Sequence, residues 1–139
     1  MSVPEICVQI SNVPGQLAAV TTVLAEAGVN IRGITALATG KVGWVRVIVD
    51  DSKVALEALE ECGFRVELGE AVAVRLSDEP GALDRALRAL SDEKINLDYI
   101  YTILERAKEG PVTILGVQTP GKAERALKAR EIAVLDIKA

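Results

Sequence analysis

The sequence predicts an α+β chain of two tandem βαββαβ units, residues 1–69 and 70–139, and three observations carry that prediction. First, Asn12-Val13-Pro14-Gly15-Gln16-Leu17 recurs 66 residues later as Asp78-Glu79-Pro80-Gly81-Ala82-Leu83. Second, each copy lies between a run with apolar residues at every other position and a run with apolar residues at helical spacing, so each is a strand-to-helix corner. Third, a gapless offset of 66 keeps Ser11/Ser77, Leu24/Leu90, Asn30/Asn96 and Ile34/Ile100 in step, and an offset of 68 does the same for Val49/Val117, Ala55/Ala123 and Leu59/Leu127. The two-residue difference falls in a hairpin, where insertions are tolerated. A whole-unit repeat of this length means one supersecondary fold used twice.

The elements follow in order. Ile6, Val8 and Ile10 give a first strand, Glu5 to Ser11. Leu17, Val20, Leu24 and Ala27 recur at helical spacing, and Gly28 ends that helix. Val29-Asn30-Ile31 opens a second strand to about Thr39, residues 40–43 turn the chain, and the valine-rich run from Trp44 to Val49 is a third strand. Asp50-Asp51-Ser52 caps a second helix, with Val54, Leu56, Leu59 and Cys62 as its apolar contacts, and Phe64, Val66 and Leu68 form the fourth strand. The second unit repeats the order: strand Ala71 to Ser77, helix from Pro80, strand Ile95 to Leu104, a charged turn from Glu105 to Pro111, strand Val112 to Val117, a helix from Thr119-Pro120-Gly121, and a last strand with Ile132, Val134 and Ile137. No Pro- or Ser-rich linker separates the units. Apolar residues keep to even positions from Phe64 to Leu76, so one strand should run almost directly into the next.

Bulk composition excludes several classes. A net charge of −4 with interspersed signs leaves no basic face for nucleic acid. No leader pattern opens the chain and no apolar run approaches a membrane span, which makes a cytoplasmic protein the expectation. The absence of histidine removes the commonest general base and catalytic metal ligand. Cys7 and Cys62 are too far apart for a metal motif and read as small core residues. Acidic pairs such as Asp50-Asp51 and Asp92-Glu93 sit at helix ends, where capping and solvation explain them, and no nucleophile has a partner base. Catalytic residues, metal ligands and cofactors are therefore expected to be none.

The repeated corner carries the functional signal. Proline suits the first turn of a helix, and the glycine after it leaves backbone N–H groups uncovered by any Cβ. A helix that begins in this way presents unpaired donors and a partial positive charge, which together suit a carboxylate.

Two βαββαβ units, each with [Asn/Asp]-x-Pro-Gly-x-Leu after its first strand and an asparagine opening its second, resemble the ACT domain family over essentially the whole chain. The resemblance implies a ferredoxin-like fold, antiparallel sheets with helices on one face, and a non-enzymatic regulatory module that binds a free amino acid near a domain or subunit interface. It implies a homodimer, and an amino-acid metabolic enzyme as a further partner. The family's effector loop falls on Asn12, Val13, Pro14, Gly15, Gln16 and Leu17, and again on Asp78, Gly81, Ala82 and Leu83. The strand-2 contacts fall on Asn30 and Ile31, and on Asn96 and Leu97. An asparagine amide suits this role because it both donates and accepts, and so bridges ammonium and carboxylate. Serine-binding members carry a histidine four before the proline; this chain has Ile10 and Leu76, so the serine pattern is incomplete. The first corner is neutral and the second acidic, which favours the first for a carboxylate. The alternative is a detached regulatory subunit of an amino-acid biosynthetic enzyme with no ligand of its own.

Other signals fare worse. Gly40-Lys41-Val42-Gly43 has the outline of an RNA-binding GxxG loop but joins two strands, not two helices. An RNA-recognition sheet needs stacking aromatics, and Tyr99 and Tyr101 suit core or interface filling instead.

Overall fold

The structure, a computed structural model, describes residues 3–103 and 111–136. Its elements are β1 (Val3–Ser11), α1 (Gln16–Glu26), β2 (Ile31–Thr39), β3 (Val42–Val49), α2 (Ser52–Glu61), β4 (Arg65–Arg75), α3 (Ala82–Asp92), β5 (Leu97–Thr102), β6 (Val112–Val117), α4 (Pro120–Lys128) and β7 (Ala133–Leu135). One compact unit comprises Pro4–Gly69, and the other takes the chain from Glu70 onward together with Val3.

In the first unit the strand order is β2-β3-β1-β4, with β3 antiparallel to both neighbours. In the second it is β5-β6-β4-β7, with β6 antiparallel to both neighbours and β7 antiparallel to β4. These are the same order, as the repeat requires. β4 serves both sheets: the two strands expected at Phe64–Leu68 and Ala71–Ser77 are one, because nothing between Arg65 and Arg75 breaks an extended backbone. The even-position phase holds for Val66, Val72 and Val74, which pack in cores, but Leu68 is exposed. The predicted charged turn and the predicted strand ends at Leu104 and Ile137 lie outside the described residues.

Each unit buries its own core between one sheet face and its two helices. In the first, Ile6, Val8, Val45 and Val47 meet Val20 and Leu24 of α1 and Ala55 and Leu59 of α2. In the second, Val72, Val74 and Leu115 meet Ala86, Leu90, Ala123 and Leu127. Asp51 caps α2 as expected, its carboxylate accepting from the Val54 N–H at 3.1 Å. Two cysteine expectations change. Cys62 is exposed, because α2 turns only its Ala55 and Leu59 face to the sheet. Cys7 is half-buried on the sheet face away from that core, and burial pushes its thiol above the ordinary value, with Arg46 pulling the other way.

All four helices end in one way. A residue in left-handed conformation, the first after the C-cap in α1, α2 and α3 and the second after Ala129 in α4, donates back three residues, and the next, apolar residue donates back five: Val29 to Leu24, Phe64 to Leu59, Ile95 to Leu90 and Ile132 to Leu127. Glycine fills the left-handed position at Gly28 and Gly63, but Lys94 and Glu131 fill it in the second unit. Among the described residues, no helix is long and apolar enough to cross a membrane.

Candidate functional site

Val13-Pro14-Gly15-Gln16 is a type II turn: Gly15 has φ 90° and ψ −10°, and the Gln16 N–H donates to the Val13 carbonyl at 3.3 Å. The second corner repeats it, with Gly81 at φ 89° and ψ −5° and the Ala82 N–H donating to the Glu79 carbonyl at 3.3 Å. This corrects the expectation that proline opens the helix. Pro14 and Pro80 occupy the turn before it, glycine is the N-cap, and the motif is set by the positive φ that the third turn residue must adopt. The turn consumes the Gln16 and Ala82 amides. Among the described residues, the N–H groups of Leu17 and Ala18, and of Leu83 and Asp84, have no hydrogen-bond acceptor, and neither helix has a side-chain cap.

Asn12 ties the first corner to the β2–β3 hairpin. Its Nδ2 donates to the Gly40 carbonyl at 2.8 Å and its N–H donates to the Lys41 carbonyl at 2.9 Å. The amide oxygen has no donor among the described residues. Beside this tie lies a crevice of about 260 Å³, lined on the corner side by Asn12, Val13, Gly15 and Leu17 and on the strand side by Ala36, Leu37, Ala38 and Trp44. Four of these are large apolar side chains open to solvent, Leu37 at 71% and Trp44 at 45% among them. A space below the roughly 300 Å³ where drug-sized pockets begin has the scale of one small metabolite. Leu17 is exposed here, not a core residue of α1 as its helical spacing suggested. The repeat puts Leu83 in the same exposed position. Sequence reasoning missed the strand side, although Gly43 was a signal: a Cβ there would sit 3.0 Å from Ile10 Cγ1, and glycine inside a strand marks close approach.

The strand-2 residues lie elsewhere. Ser11 pairs with Val42, which also pairs with Thr39, whereas Ile31 pairs with Val49. The first corner and Asn30-Ile31 are thus at opposite ends of one sheet, roughly 24 Å apart at about 3.4 Å per residue. Asp50 holds the Asn30 backbone, its carboxylate accepting the Asn30 N–H at 3.0 Å, and the Asn30 side chain is exposed. In the second unit Asn96 and Leu97 are again at the far end, where Leu97 pairs with Val117 while Arg75 pairs with Val112. Asn96 Nδ2 donates to Asp98 at 3.3 Å, and Asn96 and Leu97 line a crevice along the end of α3.

The second corner is occupied by its own chain. The Glu79 carboxylate accepts from Ser77 Oγ at 2.8 Å and from Arg85 at 3.2 Å, while Asp78 stays exposed. The acidic corner thus already faces a cation. No cluster of metal-ligating side chains occurs among the described residues.

Two βαββαβ units in tandem, each with an open strand-to-helix corner, define a paired ferredoxin-like protein. The family model described as ACT domain pair matches residues 1–137, and the chain belongs to that family. It is similar to protein BT0572 from Bacteroides thetaiotaomicron, 26% identical, with a TM-score of 0.88 over 97% of this chain and 92% of that one. It is also similar in fold to the regulatory subunit of aspartate kinase from Thermus thermophilus in its ligand-free form, 23% identical, with a TM-score of 0.64 over 92% of this chain and 91% of that one. The regulatory subunit of aspartate kinase from Thermus flavus gives 22% identity and a TM-score of 0.60. No curated protein matches the sequence.

Proposed function

We propose that this protein is a non-enzymatic, cytoplasmic regulator that binds a free amino acid at its first corner and passes occupancy to an enzyme of amino-acid metabolism. The observation that carries this reading is the crevice beside the Val13–Gln16 turn, where unpaired Leu17 and Ala18 amides, the Asn12 amide oxygen and an apolar wall meet in a space of metabolite size. The helix amides suit a carboxylate, Asn12 Oδ1 suits the ammonium, and Leu17, Leu37 and Trp44 suit the side chain. The likeness to regulatory subunits of aspartate kinase supports an enzyme partner.

The site is completed by a second copy of the chain. β2 is the edge strand of its unit, and Leu37 on it is the most open large apolar side chain among the described residues. Pairing two β2 edges antiparallel about a twofold axis places the Asn30 end of one copy beside the Asn12 corner of the other. That arrangement unites two asparagines which a single unit holds apart, and it covers Leu37. The second corner carries the Glu79 carboxylate, which repels another carboxylate, and plays no part in its binding.

A thermal-shift screen of the twenty amino acids tests this. A ligand at one hundred times its dissociation constant adds about 2.7 kcal/mol to stability. A shift with one amino acid or a close group, lost in Asn12→Ala, agrees with the reading; no shift with any of them contradicts it.

A further inference from the structure

Each unit has another cavity on the opposite side of its corner, toward the last strand and the end of the second helix. In the first unit it measures about 510 Å³ and in the second about 260 Å³. The two are the same place in the repeat: positions 9–11, 16 and 62–65 of the first fall on 75–77, 82 and 130–133 of the second under the offsets of 66 and 68. The counterpart of Lys41, which also lines the first, lies outside the described residues of the second.

Their charge is the second observation. The first cavity is lined by Lys41 and Arg65 with no carboxylate, and the second by Arg75, Arg85 and Arg130 against Glu131 alone. The first therefore carries an excess of two positive charges in a chain whose net charge is −4, whereas in the second Arg85 is paired with Glu79 and Arg130 with Asp92, so no such excess remains. A basic hollow in an acidic protein focuses anions.

The third observation is how the guanidinium is kept. In the first unit Arg65, on the last strand, reaches Gln9 on the first strand, its Nη1 donating to Gln9 Oε1 at 3.4 Å. In the second unit the equivalent pair is Arg75 and Ala133, register partners on β4 and β7. The charge has moved across the strand pair, while the cavity wall keeps one guanidinium. Ser11 lines the first cavity and offers a further hydroxyl donor, whereas the Ser77 hydroxyl of the second already donates to Glu79 at 2.8 Å.

We propose that the cavity of the first unit is a binding site for a small anion, a phosphate or a carboxylate group of a metabolite, separate from the amino-acid crevice, and that the second cavity, its donors already held by carboxylates of the chain, is not. Guanidinium beside hydroxyl is suited to both head groups, because it supplies two parallel donors with full charge. The inference does not rest on the amino-acid reading.

The test uses the full chain at low ionic strength with inorganic phosphate and with succinate as separate probes, followed by calorimetry and by the alkylation rate of Cys62, which lines the first cavity. The expected result is saturable binding of at least one probe at one site per chain, with Cys62 protected and half-buried Cys7 unaffected as the internal control. Binding of phosphate alone assigns a phosphoryl ligand, and binding of succinate alone assigns a carboxylate ligand. The exposed-residue variant Lys41→Gln with Arg65→Gln removes the site and the Cys62 protection, whereas Arg75→Gln with Arg85→Gln leaves both in place. Asn12→Ala leaves both intact, which separates this result from any failure of the amino-acid site. Absence of saturable binding by both probes, or binding unchanged in Lys41→Gln with Arg65→Gln with retained fold, overturns the proposal.

Discussion

At the scale of single residues, the two units solve the same local problem with different side chains. The left-handed position that follows each helix is glycine at Gly28 and Gly63, but Lys94 has φ 57° and Glu131 has φ 61°. A side chain in that conformation costs about 1–2 kcal/mol, part of which glycine returns through its freer unfolded chain. Lys94→Gly and Glu131→Gly are each expected to stabilise the protein by about 0.5–1 kcal/mol, seen as a higher urea midpoint at unchanged slope; Gly28→Ala should lower it. Asn12 shows the limit of residue-level inference. Its type and place pointed to a ligand contact, and the structure gives it a bond to the Gly40 carbonyl that holds the corner to the hairpin. No local pattern reports a partner 28 residues away.

At the scale of elements, size is exchanged across strand pairs. Gly33 faces Ile48 between β2 and β3, whereas Tyr99 faces Gly116 between β5 and β6, which are the same two positions of the repeat with large and small reversed. A Cβ on Gly116 would fall 2.1 Å from the Tyr99 ring. Gly116→Ala is therefore expected to destabilise the chain by about 1–3 kcal/mol, measured by chemical denaturation, and Tyr99→Leu in the same chain should recover part of that loss. Element existence and order were legible because strand and helix periods alternate cleanly from Ile6 to Val134. What was not legible was pairing. Asn12 and Asn30 both looked like ligand residues of one site, but parallel first and second strands with a helix between them start at the same end of a sheet. The corner follows the end of one, and Asn30 precedes the start of the other. Leu17 and Leu68 fit core periodicity and are exposed, because periodicity reports a face without reporting what covers it.

At the scale of the whole molecule, four exposed large apolar side chains, Val13, Leu17, Leu37 and Trp44, meet at the first corner. Leu37→Asp places a charge on the edge where a second copy pairs in the proposed assembly. The chain should then sediment as a monomer, keep its far-ultraviolet spectrum, and lose its thermal response to the amino acid. Retention of that response by a monomer would mean that one copy holds a complete site. The sheets and cores repeat, but the corners do not: one is neutral, and the other carries the exposed Glu79–Arg85 ion pair. The proposed regulator therefore has one amino-acid site for each corner of the first type, two in a dimer.

The most direct measurement is binding of the responsive amino acid to Asn12→Ala, to Asn30→Ala, and to an equimolar mixture of the two after subunit exchange. Each variant alone should bind weakly or not at all. The mixed dimer contains one site with Asn12 from one copy and Asn30 from the other, both native, so exchange should restore one tight site per mixed dimer. Binding unaffected by either substitution, or no recovery in the exchanged mixture, would contradict a site shared between copies.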